Sequence, residues 1–221
     1  SKNYLWFGLG PGGLIRYRKS LNGVNIYRPN YNENIRSSSN KSIFAVARIG
    51  KDIYAGTYSG LYKINQINNK LDPIESINSI LDERSLRISS LCQINDSDML
   101  LGTAGGLYLY DTNREKLNRI KLNKIANFKI TAIGCNSARV FIAEETGKVY
   151  QYFGADKKFI ELKSKKPFFN VLSINDAGEL YFSTTSGLNI VELFNNKLIE
   201  KKVIFPNNFI QTKQSSMPSL I

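Results

Sequence analysis

The 221-residue chain contains no histidine. That removes the commonest general base, the serine–histidine triad and most transition-metal sites. Its two cysteines, Cys92 and Cys135, lack the close spacing of a zinc motif. Cys92 falls in an apolar stretch from Ile88 to Gln93, and Cys135 stands at a turn before Asn136. A disulfide between them is left open, while burial as a small hydrophobe is the ordinary fate of such a residue. Glu144 and Glu145 form an adjacent carboxylate pair, the residue type that glycoside hydrolysis uses. Placed just before Thr146-Gly147, they read as a solvated turn. Asp96 and Asp98 alternate as calcium ligands do, but no longer ligand series follows, so they read as a hairpin turn. Trp6 is a candidate for stacking on a sugar. Between Leu5 and Phe7 it reads better as packing within a strand. The sequence therefore predicts no catalytic residue, no metal ligand and no cofactor.

The elements that would carry any site come from an internal repeat. Leu5-Trp6-Phe7-Gly8, a turn and Gly13-Leu14-Ile15-Arg16-Tyr17 return as Ile53-Tyr54-Ala55-Gly56 with Gly60-Leu61-Tyr62. They return again as Leu100-Leu101-Gly102 with Gly106-Leu107-Tyr108, as Val140 to Ala143 with Gly147, and as Leu180 to Ser183 with Gly187-Leu188. The second glycine steps by 47, 46, 41 and 40 residues. A period of roughly 40–50 residues built from short strands is that of propeller blades. Before each later unit lies another strand, at Ile43 to Arg48, Ile88 to Gln93, Ile130 to Ile133 and Asn170 to Ile174. Turns rich in Asn, Asp and Gly join the strands, because these residues tolerate the left-handed backbone of tight hairpins. A weaker last strand follows, as at Phe159 to Leu162 or Lys197 to Ile204. Four antiparallel strands per repeat make one blade. The fold class predicted is all-β: a β-propeller of four-stranded antiparallel blades with five repeats visible. It is either a five-bladed ring or a cut portion of a larger propeller.

Residues 1–221 read as a single propeller domain or propeller fragment, because the repeats cross any midpoint boundary. The opening Ser1-Lys2-Asn3 looks like a cut into a strand, and Ser215 to Ile221 looks like a loop entering one. A hydrophobic content of 42% suits a globular protein, yet no run of about 18 apolar residues is present to span a membrane. Low cysteine usage does not separate cytoplasm from periplasm.

The succession of apolar strand, short polar turn, Leu-Trp-Phe-Gly, turn and Gly-Leu-Ile-Arg-Tyr resembles the two-component regulator propeller repeat. The likeness is clearest at Leu5 to Tyr17, at Gly56-Thr57-Tyr58-Ser59-Gly60-Leu61-Tyr62 and at Gly102-Thr103-Ala104-Gly105-Gly106-Leu107. Thr184-Thr185-Ser186-Gly187-Leu188 keeps part of it, and Glu144-Glu145-Thr146-Gly147 departs most. The resemblance implies the periplasmic sensor region of a Bacteroides-type hybrid two-component system. In such proteins propellers precede a β-sandwich, a membrane helix and a cytoplasmic histidine kinase, and they are associated with polysaccharide-utilisation genes. It implies a non-catalytic segment that contributes to glycan sensing and signal transmission.

A net charge of +12 makes an anionic partner worth considering, since fixed positive charge concentrates anions nearby. In a propeller the connections between blades and the turns from second to third strand emerge on one face. Those connections carry Arg36, Lys41, Arg84, Arg87, Lys124, Lys129, Lys165 and Lys166, partly offset by Asp82 and Glu83. Asp52, Asp96, Asp98, Asp176 and Glu179 go to the opposite face. The candidate ligand residues are thus Arg36, Lys41, Arg84, Arg87, Lys129, Lys165 and Lys166, with Tyr58 as a stacking face. The expected ligand is an oligosaccharide bearing carboxylates or sulfates, which Arg pairs in bidentate fashion. The bland alternative is that these lysines and arginines simply solubilise loops. Further expected partners are a neighbouring propeller or β-sandwich domain of the parent chain and a second protomer. No nucleic acid and no membrane contact by this segment are expected. A protein-interaction or dimerisation scaffold is the second functional reading, and a polysaccharide lyase or hydrolase propeller a weaker third.

Overall fold

Strands dominate, and they fall where the glycine period puts them. The computed structural model describes residues 4–9, 13–18, 23–29, 42–121, 128–154, 158–164, 172–175, 179–184 and 187–204. It divides into two units, Ser1–Ile120 and Lys121–Leu220.

In the first unit, β1 (Tyr4–Leu9), β2 (Gly13–Arg18) and β3 (Gly23–Pro29) form an antiparallel meander. Next come β4 (Ile43–Ile49), β5 (Asp52–Thr57), β6 (Gly60–Asn65) and β7 (Lys70–Pro73), followed by a single turn of helix, α1 (Glu75–Asn78). The third repeat supplies β8 (Ile88–Gln93), β9 (Asp98–Thr103), β10 (Gly106–Asp111) and β11 (Lys116–Ile120). The sheet orders are β1-β2-β3-β7-β6-β5-β4 and β11-β10-β9-β8. The first of these runs continuously through two repeats, but only by a parallel seam two residue pairs long, Arg28↔Lys70 and Pro29↔Leu71. That seam joins outermost strands, so the two Gly-Leu strands β2 and β6 remain apart.

The second unit holds two four-stranded sheets. One is β12 (Ile130–Cys135), β13 (Val140–Glu144), β14 (Val149–Phe153) and β15 (Lys158–Leu162). The other is β16 (Leu172–Ile174), β17 (Leu180–Thr184), β18 (Gly187–Phe194) and β19 (Lys197–Ile204).

Within each unit the sheets pack face to face, and the second strands β5, β9 and β13 are buried along almost their whole length. In β5 alternation assigns the residues to two different cores. Ile53 and Ala55 pack with Tyr27, Ile64 and Leu71, while Tyr54 points the other way and joins Met99, Leu101, Tyr108 and Tyr110. In the second unit Phe141 and Ala143 meet Leu180 and Phe182 in a single cluster. Gly56 marks how close the sheets come. A Cβ there would lie 2.7 Å from the Ile88 methyl and 3.1 Å from the Ile88 carbonyl oxygen. At Gly60, by contrast, the backbone itself demands glycine, with φ +124°.

Tight polar turns fix the register. Asn95 Oδ1 accepts the amide protons of Ser97 and Asp98 at 2.9 and 2.7 Å. Asn136 Oδ1 does the same for Ala138 and Arg139 at 3.0 and 2.9 Å. Asp98 also accepts from the Asn95 side-chain amide at 2.8 Å, so its carboxylate is a turn brace.

Burial has a consequence at high pH. It raises the Tyr150 phenol to about 12, with smaller contributions from Glu161 and Glu144, and it raises Tyr54 and Tyr110 in the same direction. A phenol whose folded pKa lies above its unfolded value of 10.0 adds stability below pH 10, and that stability is lost as pH rises through the folded value. We expect the unfolding midpoint to fall steeply between about pH 10 and 12, by roughly 1.4 kcal/mol per pH unit for each such group. Tyr150→Phe should flatten the slope. A midpoint that stays level across that range would show that these hydroxyls ionise freely.

Candidate functional site

The local frame of the loop face is a buried lock in the turn between second and third strands. Thr57 Oγ1 accepts the Ser59 amide proton at 3.0 Å and donates to the Gly60 carbonyl at 3.0 Å. Thr103 repeats this with Gly105 and Gly106 at 3.1 and 2.9 Å. In the fourth repeat Glu144 takes the place of threonine. It is 5% exposed and accepts both the amide and the hydroxyl protons of Thr146. Glu144 is therefore a buried turn acceptor at the end of β13 and not the solvated residue its sequence setting predicts. The carboxylate substitutes for a threonine hydroxyl two residues before the same turn. Glu145 is exposed.

The first strands carry a second recurring device. Register slips by one residue in β4, β8 and β12, between Ile43 and Ala45, Ile88 and Ser90, and Ile130 and Ala132. Such a bulge breaks alternation and re-aims a side chain. In β4 the bulged residue is Phe44. Its ring centroid lies 6.1 Å from that of Tyr58, tilted by 45°. Arg87, just before β8, sets its guanidinium carbon 5.4 Å from the Phe44 centroid and 5.2 Å from the Tyr58 centroid. The Arg87 carbonyl accepts the Ala104 amide proton at 3.1 Å, which ties the connection to the turn of its own repeat. Cation–π contacts of this kind are worth about 0.5–1 kcal/mol at exposed sites. Tyr58 is 39% exposed, so ring surface remains for a ligand.

Among the residues expected from sequence, the structure thus brings Tyr58 and Arg87 together. Arg84 stands exposed three positions upstream in the same connection. Asp82 offsets part of this charge. Ser85 holds the Asp82 carboxyl below the usual carboxylate range through its side chain and its amide, the latter at 2.8 Å, with Arg119 and Arg84 adding to the effect. Lys129 lies in the second unit at the repeat position of Arg87. Its carbonyl accepts the Glu145 amide proton at 3.0 Å, and its own amide faces the Glu145 carboxylate at 3.4 Å. A carboxylate therefore dilutes the positive charge there. Arg36, Lys41, Lys165 and Lys166 lie outside the described residues.

Sequence reasoning missed Phe44 and Arg119. Arg119 sits on β11 opposite Tyr108, with its guanidinium carbon 5.6 Å from that ring and a hydrogen bond to the Gly105 carbonyl. An arginine within a strand gives no loop signal, and a bulge cannot be read from alternation. Trp6 falls on β1, where the structure describes the backbone alone.

Both cysteines are disulfide-bonded and none is free. Cys92 is buried at 1% exposure, as a small hydrophobe would be, but it is not a thiol. No helix among the described residues is long and apolar enough to cross a membrane.

No protein-family model matches the sequence. No curated protein matches it either. Solved structures do match, and they define the class: blades of a β-propeller. The β-propeller domain of Cps50 (Swd1) from Myceliophteria thermophila aligns with a TM-score of 0.66 at 12% identity, over 92% of this chain and 68% of that one. The extracellular domain of BT4673 from B. thetaiotaomicron, assigned to a hybrid two-component system, aligns at 0.62 and 20% identity over 96% of this chain. That of BT3049 from the same organism, assigned likewise, aligns at 0.66 and 16% identity over 94%. The chain spans 27% of each of these two extracellular domains. Both are the kind of protein that the Gly-Leu repeats resemble.

Proposed function

We propose that this chain is part of the extracellular sensing region of a two-component signalling protein, where it recognises ligand without transforming it. The observation that carries this reading is the likeness to the BT4673 and BT3049 extracellular domains over nearly the whole chain, together with the repeat motif. The disulfide supports a periplasmic location, since such bonds persist in oxidising compartments and are rare in the cytosol. The ligand that fits the loop face is an anionic oligosaccharide. Tyr58 offers a ring to a sugar, and Arg87, held against that ring, offers a guanidinium fork to an attached carboxylate or sulfate.

Calorimetric titration with sulfated, uronic and neutral oligosaccharides tests this. Anionic glycans should bind more tightly than neutral ones, and should weaken with salt, because exposed charges are screened over roughly 8 Å at physiological ionic strength. Arg84→Ala combined with Arg87→Ala should weaken them about tenfold or more, as expected when charge-assisted hydrogen bonds are lost. Tighter binding of a neutral glycan, indifferent to salt and to both substitutions, would reject the electrostatic reading of this face.

A further inference from the structure

Within each unit, neighbouring repeats are zipped along their outer edge among the described residues, except between β7 and β11 of the first unit. The end of β3 pairs with the start of β7 through Arg28↔Lys70 and Pro29↔Leu71. In the second unit the end of β15 meets the start of β19 in the same parallel way. Lys163 bridges Lys197, its amide donates to the Asn196 carbonyl at 3.0 Å, and its carbonyl accepts from Leu198 at 2.8 Å. Between β7 and β11 this pairing is missing, and the two strands belong to separate sheets. The cause is local. β7 stops at Pro73, which has no amide proton to give, and the Ile74 amide turns back to the Leu61 carbonyl at 3.0 Å. The chain then enters α1, where the Asn78 side chain clamps the Leu61 amide and carbonyl at 2.8 and 3.0 Å.

Beside the open seam, on the side of the Gly50-Lys51-Asp52 hairpin, lies a cleft of about 280 Å³. Tyr54, Tyr110, Lys63, Asp52, Asp96 and Glu115 are among its walls. The two tyrosines stand edge to face, 6.2 Å apart at 80°, and are only 4% and 2% exposed. Among the described residues neither hydroxyl has a hydrogen-bond partner. The rings are buried but neither hydroxyl is sealed from solvent, and both tyrosines line the cleft, where a ligand can supply the partner. Lys63 and Asp52 neutralise one another at 2.8 Å. Glu115 adds a third feature. It holds a left-handed backbone, φ 49°, at the turn position that Asn69 fills in the preceding repeat with φ 56°. Asparagine suits that backbone and glutamate does not.

We propose that this cleft beside the unzipped seam binds a neutral polyhydroxylated molecule of monosaccharide size. Asp96 and Glu115 disfavour an anion, and Lys51 and Lys63 disfavour an organic cation. Both sets serve a molecule whose hydroxyls donate to carboxylates and accept from ammonium groups. Tyr54 and Tyr110 remain protonated at neutral pH, because burial raises both phenols, so each has a proton to donate. Drug-sized pockets occupy roughly 300–1,000 Å³, so this cleft takes a single sugar ring and not an extended glycan. The site lies on the opposite face from Tyr58 and Arg87 and does not depend on the reading of that face.

The test uses ligand-observed NMR on the 221-residue chain with glucose, galactose and mannose, and with glucosamine and glucuronate as charged arms. We expect at least one neutral hexose to bind with an affinity unchanged by salt. Tyr110→Phe should weaken it about tenfold, the loss of one hydrogen bond. Glu115→Asn keeps the turn, as Asn69 shows, so it should weaken binding without lowering the unfolding midpoint. Arg87→Ala should leave hexose binding intact, which separates this site from the loop face. The proposal is overturned if no neutral hexose binds, if only glucosamine or glucuronate does, or if Tyr110→Phe and Glu115→Asn both leave affinity unchanged.

Discussion

Phe141→Ala should lower stability by about 3–5 kcal/mol, the usual loss for a fully buried aromatic. Phe141 is 0% exposed on β13, in the middle of a strand whose residues are all buried. Its ring belongs to the cluster that also holds Phe182, Leu180, Val191 and Leu198, contributed by the facing sheet. Truncation leaves a cavity that two rigid sheets cannot close. Phe182→Ala should cost a similar amount. Because the two rings share one cluster, the double variant should lose less than the sum of the single losses, since the second cavity opens into the first. Chemical denaturation of the three variants measures this. Additive losses would show that the two rings pack in separate environments.

This pair also shows how far periodicity can be read. The glycine spacing predicts strands that the structure returns closely, with Ile88–Gln93 and Lys197–Ile204 matching residue for residue. Phase is harder. Trp6, Tyr54, Leu101, Phe141 and Phe182 read as one equivalent set of second-strand positions. The register splits them. Tyr54 and Phe141 stand two residues before the small residues Gly56 and Ala143, which pair with Leu61 and Val149. Leu101 and Phe182 stand one residue before Gly102 and Ser183, which pair with Leu107 and Leu188. With a side-chain period of two, that single step turns them to the opposite face of the sheet. All four are buried because each meets the facing sheet of its own unit. A strand buried on both faces has no polar alternation to reveal its phase.

The candidate sites were legible in proportion to how local their causes are. Tyr58 and Arg87 lie in turns and connections that the repeat period exposes. Phe44 reaches them through a bulge, a property of pairing between strands. The outer cleft was not legible as a site. It exists because one repeat fails to pair with the next, and a failure of pairing leaves no residue pattern of its own. Glu144 misleads for the converse reason. Its role comes from the turn lock that Thr57 and Thr103 make, and a carboxylate does not look like a threonine.

Reduction of the disulfide should destabilise the protein by about 2–5 kcal/mol, the range for native disulfides in small secreted domains. Cys92 and Cys135 are the only cysteines, and both are bonded. Thiol reagents should therefore find nothing to modify until reductant is added. Denaturant unfolding with and without reductant gives the size of the effect. Cys92→Ala with Cys135→Ala should reproduce the reduced protein, plus a small cavity cost at Cys92, which is 1% exposed. The comparison also bears on where the protein works. A cytosolic glutathione pool would hold these thiols reduced and leave the fold at its weaker level. If export from the cell is required for the oxidised, more stable form to accumulate, the periplasmic reading gains its most direct support. If the chain carries two free thiols when recovered from the periplasm, and reductant leaves its unfolding midpoint unmoved, the disulfide plays no part in holding this fold and that support is gone.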